Sequence, residues 1–175
     1  MEGKNFVITE ENVQEYSIKM GNWIKEYIDT TKTAGVVLGM SGGVDCSTVA
    51  ALCKKNGINI HLVLMPYGDN MEKVKANSDA MELINKFNLS YHVFDIKNAV
   101  DSIEIEDGSI YLNGANKELI DLSRANIRPR VRMTYLYHYA QINNMLVIGT
   151  GNLSERTVGY FTKWGDRSIW FKPYG

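Results

Sequence analysis

One stretch limits what this chain can fold into more than any other: Gly39-Met40-Ser41-Gly42-Gly43-Val44-Asp45-Cys46-Ser47. The apolar run Val36-Val37-Leu38 precedes it, and Thr48-Val49-Ala50-Ala51-Leu52-Cys53 follows. That order reads as buried strand, glycine turn, helix. Adjacent glycines let a backbone take positive φ and approach a ligand closely. The helix behind them offers free N–H groups and the positive end of its dipole, which together cradle an anion, most often phosphate. Ser41 and Ser47 add hydroxyl donors. Asp45 adds a carboxylate, unfavourable beside phosphates unless a cation lies between them, so the stretch points to Mg²⁺. A bare turn without ligand is the alternative, and the many ligand-type groups packed into the five residues Ser41 to Asp45 argue against it. Neither Gly-x-x-x-x-Gly-Lys-Ser/Thr nor Gly-x-Gly-x-x-Gly is present, which argues against a Walker loop and a dinucleotide fingerprint.

The rest of the chain repeats the strand-then-helix order. Val13 to Ile28 carries apolar residues at helical spacing, with Thr9 or Asn12 as N-cap. A helix over 47–56 ends at Gly57, a strand runs from Ile58 to Met65, and a helix runs from Asn70 to Phe87. Tyr91 to Ile96 is a third strand, with His61 and its neighbours on strand faces. Residues 103–113 are acidic and alternate, read as an irregular excursion. A short helix over 118–124 then precedes a long one that Pro129 opens and that runs to about Asn143. Arg128, Arg130 and Arg132 near that start oppose the helix dipole, which leaves phosphate or carboxylate forks or a solvated charged turn. Leu146 to Gly149 is a fourth strand, and Thr150-Gly151-Asn152-Leu153-Ser154-Glu155 follows it.

Strands alternating with helices predict an α/β fold with an open parallel sheet and helices on both faces. Ligands bind such sheets at the carboxyl ends of the strands. The Ser41–Ser47 and Thr150–Glu155 loops therefore face one crevice, where Glu155 can join Asp45 around one Mg²⁺. A chain of 175 residues with 45% hydrophobic and 22% charged residues suits one domain with a sizeable core. A net charge of −1 gives no general attraction to nucleic acid or to an anionic membrane. No leader-like pattern and no apolar run of spanning length stand in the sequence. Two cysteines without a disulfide framework fit a cytoplasmic protein.

Ser41-Gly42-Gly43-Val44-Asp45 resembles the pyrophosphate loop of the N-type ATP pyrophosphatases, except that Cys46 stands at the serine after the aspartate, with Ser47 next. Three later stretches narrow the resemblance to ammonia-dependent NAD synthetase: Asn126-Ile127-Arg128-Pro129-Arg130-Val131-Arg132-Met133, Gly149-Thr150-Gly151-Asn152-Leu153-Ser154-Glu155 and Gly159-Tyr160-Phe161-Thr162-Lys163-Trp164-Gly165-Asp166. Leu64-Met65-Pro66-Tyr67-Gly68 also looks like that family's turn after its second strand.

The resemblance implies an adenine nucleotide alpha hydrolase-like (Rossmann-like) fold and a ligase. That ligase makes NAD from deamido-NAD, ATP and ammonia through an adenylated nicotinate, with Mg²⁺ as cofactor. It implies positioning and metal catalysis, with no catalytic nucleophile on the protein. Residues 39–47 (Gly39, Met40, Ser41, Gly42, Gly43, Val44, Asp45, Cys46, Ser47) and Thr150 would bind ATP. Arg130 and Lys163 would bind deamido-NAD, and Asp45 and Glu155 the metal. Members are homodimers. The family pattern after Asp166 is not matched: Trp170 stands where an aspartate is expected, and the sequence ends at Gly175. The expectation is one ATP-pyrophosphatase-type domain over residues 1–175 without the family's C-terminal part, binding ATP better than it turns over. The alternative is a non-catalytic nucleotide-binding or dimerisation module.

Overall fold

The computed structural model describes residues 9–68, 79–103, 116–151, 153–159 and 161–165. In chain order these form α1 (Val13–Thr31), β1 (Val36–Gly39), α2 (Val44–Lys55), β2 (Ile60–Leu64), α3 (Asp79–Phe87), β3 (Ser90–Val93), α4 (Lys97–Asp101), α5 (Lys117–Ile142), β4 (Leu146–Val147) and α6 (Leu153–Val158). The four strands make one sheet in the order β3-β2-β1-β4, and each pair is parallel. Val37 lies beside His61 on one edge of β1 and beside Val147 on the other.

Side chains alternate across the strands, and each face is covered by helices. Val36, Leu38, Leu62 and Leu64 pack with Ile24 of α1, Val49 and Cys53 of α2, and Ile84 of α3. Val37, Val63 and Val147 pack on the other face with Val100 of α4 and with Met133, Leu136 and Ala140 of α5. The helices that step outward from β1 to β3 thus share one face, and the helix returning to β4 lies on the other, as a constant crossover hand requires. The expected α/β architecture stands.

Several boundaries differ from the sequence reading. α1 continues through Thr30 and Thr31, whose hydroxyls bond back to the Glu26 and Tyr27 carbonyls at 2.7 and 2.9 Å. It stops at left-handed Lys32. Asn12 precedes α1, but its side chain accepts from Thr9 N–H instead of capping the helix. Trp23 is 43% exposed, its ring centre 6.4 Å from that of Tyr27. α2 starts at Val44, because extended Gly43 already serves as its N-cap. The short helix over 118–124 and the helix expected to begin at Pro129 are one helix with Pro129 inside it. An internal proline forfeits one N–H bond and crowds the preceding turn. Here Ile127 and Val131, on either side of it, both pack against the core, and that burial carries the helix through. The 70–78 part of the expected third helix, residues 104–113 of the excursion, and Asn152, Tyr160, Asp166 and Trp170 lie outside the described residues. His61 is a strand-face residue as expected: its Nε2 lies 2.9 Å from Tyr139 Oη, and the rings stack.

Two stability predictions follow from packing. A Cβ on Gly21 would lie 2.1 Å from Asn56 Cγ, and Asn56 Nδ2 is committed to the Ser17 and Leu52 carbonyls. Gly21→Ala is expected to lose about 1–3 kcal/mol in urea unfolding, as overpacked sites do. Burial, helped by the charge of His92, holds the His61 pKa below its usual 6.5. The unfolded chain therefore takes the proton first, and stability should fall as pH drops from 6.5 towards the lowered folded-state value. His61→Gln should flatten that part of the stability profile; an unchanged slope would refute the assignment.

Candidate functional site

The strand order reverses at β1. The chain steps from β1 to β2 to β3 and then returns to β4 on the opposite side of β1. The loops after β1 and β4 diverge there, and an open sheet of this kind has its crevice at that switch point.

The turn after β1 is built from its own backbone. Gly42 has φ of +87°, and a Cβ there would sit 3.1 Å from Ala80 N, so both conformation and space require glycine. Ser41 Oγ accepts from Gly43 N–H at 3.2 Å. Cys46 Sγ donates to the Gly43 carbonyl at 3.1 Å and lies 3.3 Å from Ser41 Oγ. No side chain caps α2, so the N–H groups of its first turn are left for a ligand. Asp45 and Gly43 are exposed and Ser47 is half-buried, while Cys46 is only 4% exposed. Among the described residues Ser47 Oγ makes no hydrogen bond, so of the two candidate side chains Cys46 serves the turn and Ser47 is left for a ligand.

Beside the turn opens a cavity of about 510 Å³. Its walls come from the ends of β1, β2 and β4 and from α5: Leu38, Met65, Pro66, Met133, Leu136 and Ile148 among them. Ser41, Thr150 and Arg132 are the polar side chains of this lining. An apolar cleft with a few convergent polar groups is the usual form of a small-molecule site.

The three arginines that flank Pro129 in α5, Arg128, Arg130 and Arg132, are put to three uses. Arg128 lies over the Tyr67 ring, its guanidinium carbon 4.0 Å from the centroid. Tyr67 Oη in turn donates to Asp101 at 2.8 Å, and Lys97 pairs with the same carboxylate. Those two bonds, that of Lys97 first, hold the Asp101 carboxyl below its usual pKa. Arg130 Nε donates to the Lys163 carbonyl at 3.2 Å, so these two expected acceptor contacts stand together. The Lys163 ammonium sits 5.5 Å from the Trp164 ring centre. Arg132 Nε donates to the Met65 carbonyl at 3.0 Å and lines the cavity. Residues 128 and 132, one turn apart, share a helix face, which Arg130 does not. Reading Pro129 as a helix start hid that division, and Tyr67 carried no sequence signal beyond its place after β2.

Of the other expected residues, Gly39, Met40 and Thr150 line the cavity, Val44 is exposed on the first turn of α2, and Glu155 is in the first turn of α6. Asp45 and Glu155 thus open the helices that follow two paired strands, β1 and β4. Among the described residues no group of three or more His, Cys, Asp or Glu side chains is placed to hold a metal. The two carboxylates, each in the first turn of its helix, are of the hard oxygen type that Mg²⁺ takes, one or two at a time, with the rest of its shell from phosphates and water. Among the described residues no helix is long and apolar enough to cross a membrane.

Comparison with known proteins agrees with this geometry. The NAD synthase family profile matches residues 16–175. The chain is 38% identical over 165 residues to the NH(3)-dependent NAD(+) synthetase of Carboxydothermus hydrogenoformans, covering 94% of this chain and 65% of that protein. Its fold matches the NH3-dependent NAD synthetase of Campylobacter jejuni, solved in complex with the nitrate ion, with TM-score 0.76 at 34% identity over 93% of this chain and 66% of that one. It matches the NMN synthetase of Francisella tularensis with TM-score 0.78 at 32% identity, over 92% and 63%. The chain therefore spans slightly under two thirds of the length of each of these relatives.

Proposed function

This chain belongs to the NAD synthase family, and we propose that it carries out an ATP-driven, ammonia-dependent amidation of the nicotinate carboxylate of deamido-NAD. The carboxylate attacks the α-phosphorus of ATP and pyrophosphate leaves. Ammonia then attacks the acyl carbon, AMP departs with the former carboxylate oxygen, and the amide of NAD remains. The observation that carries this reading is the Ser41-Gly42-Gly43 turn, which precedes the uncapped N-terminus of α2 and puts Ser41 in the lining of an apolar cavity at the switch point.

In this reading the turn and the α2 N–H groups hold the phosphates that leave, where a helix N-terminus favours negative charge. Ser47 supplies the last hydroxyl contact. The apolar wall takes the nucleoside, with Thr150 at its β4 side. Asp45 and Glu155 hold Mg²⁺, which when bound neutralises charge on the phosphate oxygens. Arg130 and Lys163 meet the dinucleotide acceptor. Pairing of two copies belongs to the same reading; exposed Val13, Ile18 and Trp23 of α1 and Leu119 and Leu122 of α5 support it. Equilibrium sedimentation should then give twice the chain mass, and a strictly monomeric protein would remove that part.

The direct test incubates the protein with deamido-NAD, ATP, Mg²⁺ and ammonium, following NAD, AMP and pyrophosphate. The expected outcome is equal amounts of all three and none without ammonium. ATP binding with no NAD formed would favour a nucleotide-binding module instead. Asp45→Asn should reduce Mg²⁺-dependent ATP affinity by about tenfold or more, the scale of a lost charge-assisted contact. ATP affinity indifferent to this change and to chelation would rule out the metal bridge. A smaller acceptor is a second reading, favoured by the close match to a structure named NMN synthetase. Running the assay with the nicotinate mononucleotide in parallel separates the two.

A further inference from the structure

The cavity has one charged side chain in its lining, Arg132, and among the described residues no carboxylate pairs with it. The ion pairs among the described residues are Lys19–Glu15, Lys97–Asp101 and Lys117–Asp121, none of which involves it. Its Nε is spent on the Met65 carbonyl at 3.0 Å, a part-buried bond that fixes the plane of the guanidinium. Its two terminal nitrogens make no hydrogen bond among the described residues. Burial, and then the positive charge of Arg128, lowers its pKa from the usual value, as for a cation held without a counter-ion. A part-desolvated charge with unused donors is costly unless something anionic arrives.

Its position says where that anion would sit. α2 covers one face of the sheet and α5 the other, and both reach the carboxyl ends of the strands. The turn that leads into α2 and the Arg132 side chain therefore reach the same cavity from opposite faces. Ser41, on the α2 side, and Arg132, on the α5 side, are both in its lining. Arginine presents a planar fork that matches two oxygens of a phosphoryl or carboxylate group.

We propose that Arg132 is a ligand-binding residue that forks an oxyacid group of the bound substrates inside this cavity. The inference rests on the amidation reading above, in which two such groups meet: the α-phosphoryl of the nucleotide and the carboxylate of the acceptor. A fork at that meeting point counters the negative charge of both before they react. The remaining possibility is that Arg132 only ties α5 to the end of β2 through Met65.

The test is calorimetric titration of wild-type protein and Arg132→Gln with four probes. AMP against adenosine isolates the phosphoryl group; deamido-NAD against NAD isolates the carboxylate. Arg132→Gln should lower the AMP-to-adenosine affinity ratio, or the deamido-NAD-to-NAD ratio, by about 10- to 100-fold. A fall in the first ratio names the phosphoryl as the partner, and a fall in the second names the carboxylate. Both ratios unchanged, whether affinities stay or fall together, would mean a mere tether and overturn the inference while leaving the amidation reading standing. Wild-type protein that binds none of the four would overturn both. Arg132→Lys keeps stem and charge without the fork, and replaces the glutamine variant if that fails to fold. It is read the same way: a lowered ratio supports the fork, and unchanged ratios reject it.

Discussion

The structure depends on β1 being enclosed on every side. Val36 and Val37 are fully buried and Leu38 is 1% exposed, yet they belong to two different cores, one on each face of the sheet. β2 takes one edge of the strand and β4 the other, so its backbone polar groups are paired as well. Each such side chain contributes about 1.5–3 kcal/mol by leaving water. Those terms fix where the chain emerges at Gly39. A glycine turn is permissive by nature, and it holds one shape here because the strand before it and the helix after it are both anchored.

Charge enters this frame sparingly. The cavity wall is apolar, and its polar groups come from three elements that the sheet brings to a common edge. The three arginines that flank Pro129 illustrate the economy. One lies on an aromatic ring, one holds the turn at Lys163, and one faces the cavity. The turn over Thr162 to Gly165 closes on the same helix. Thr162 Oγ1 reaches Asn126 Oδ1 at 2.8 Å, and a Cβ on buried Gly165 would sit 3.1 Å from Pro129 Cβ. The proline that costs α5 a hydrogen bond thus supplies a flat surface for this turn.

The sheet was legible in the sequence because β1, β2 and β4 are short, largely apolar runs, with β3 a mixed strand at the sheet's edge, and the positions of both loops followed from the strand-to-helix order. Helix ends were less legible. Local propensity made Pro129 a start signal, and only the burial of Ile127 and Val131, a tertiary effect, shows it to be interior. A similar shift at α2 distinguishes the surroundings of Cys46 and Ser47. With the helix beginning at Val44, position 46 turns inward and position 47 stays half-exposed. The separate uses of the arginines were hidden for the same reason, since a helical face can be assigned only once the helix is known to be continuous.

The length of α5 has a mechanical consequence. Its 26 residues extend about 39 Å, while the four residues of β1 span about 13 Å. Its buried residues, Met133, Leu136 and Ala140, all lie in the C-terminal half, Ile127 packs partly on the core, and the turns before it, residues 117–123, are largely exposed and project as a post. That post is a lever with its fulcrum in the core: a rotation of about 5° at Met133 displaces Lys117, about 24 Å along the axis, by about 2 Å. Arg128 sits partway along it, with Arg130 and Arg132 close to the fulcrum. The rigidity of the crevice is therefore set by how tightly Met133, Leu136 and Ala140 are gripped on this face of the sheet, the first two of which also wall the cavity.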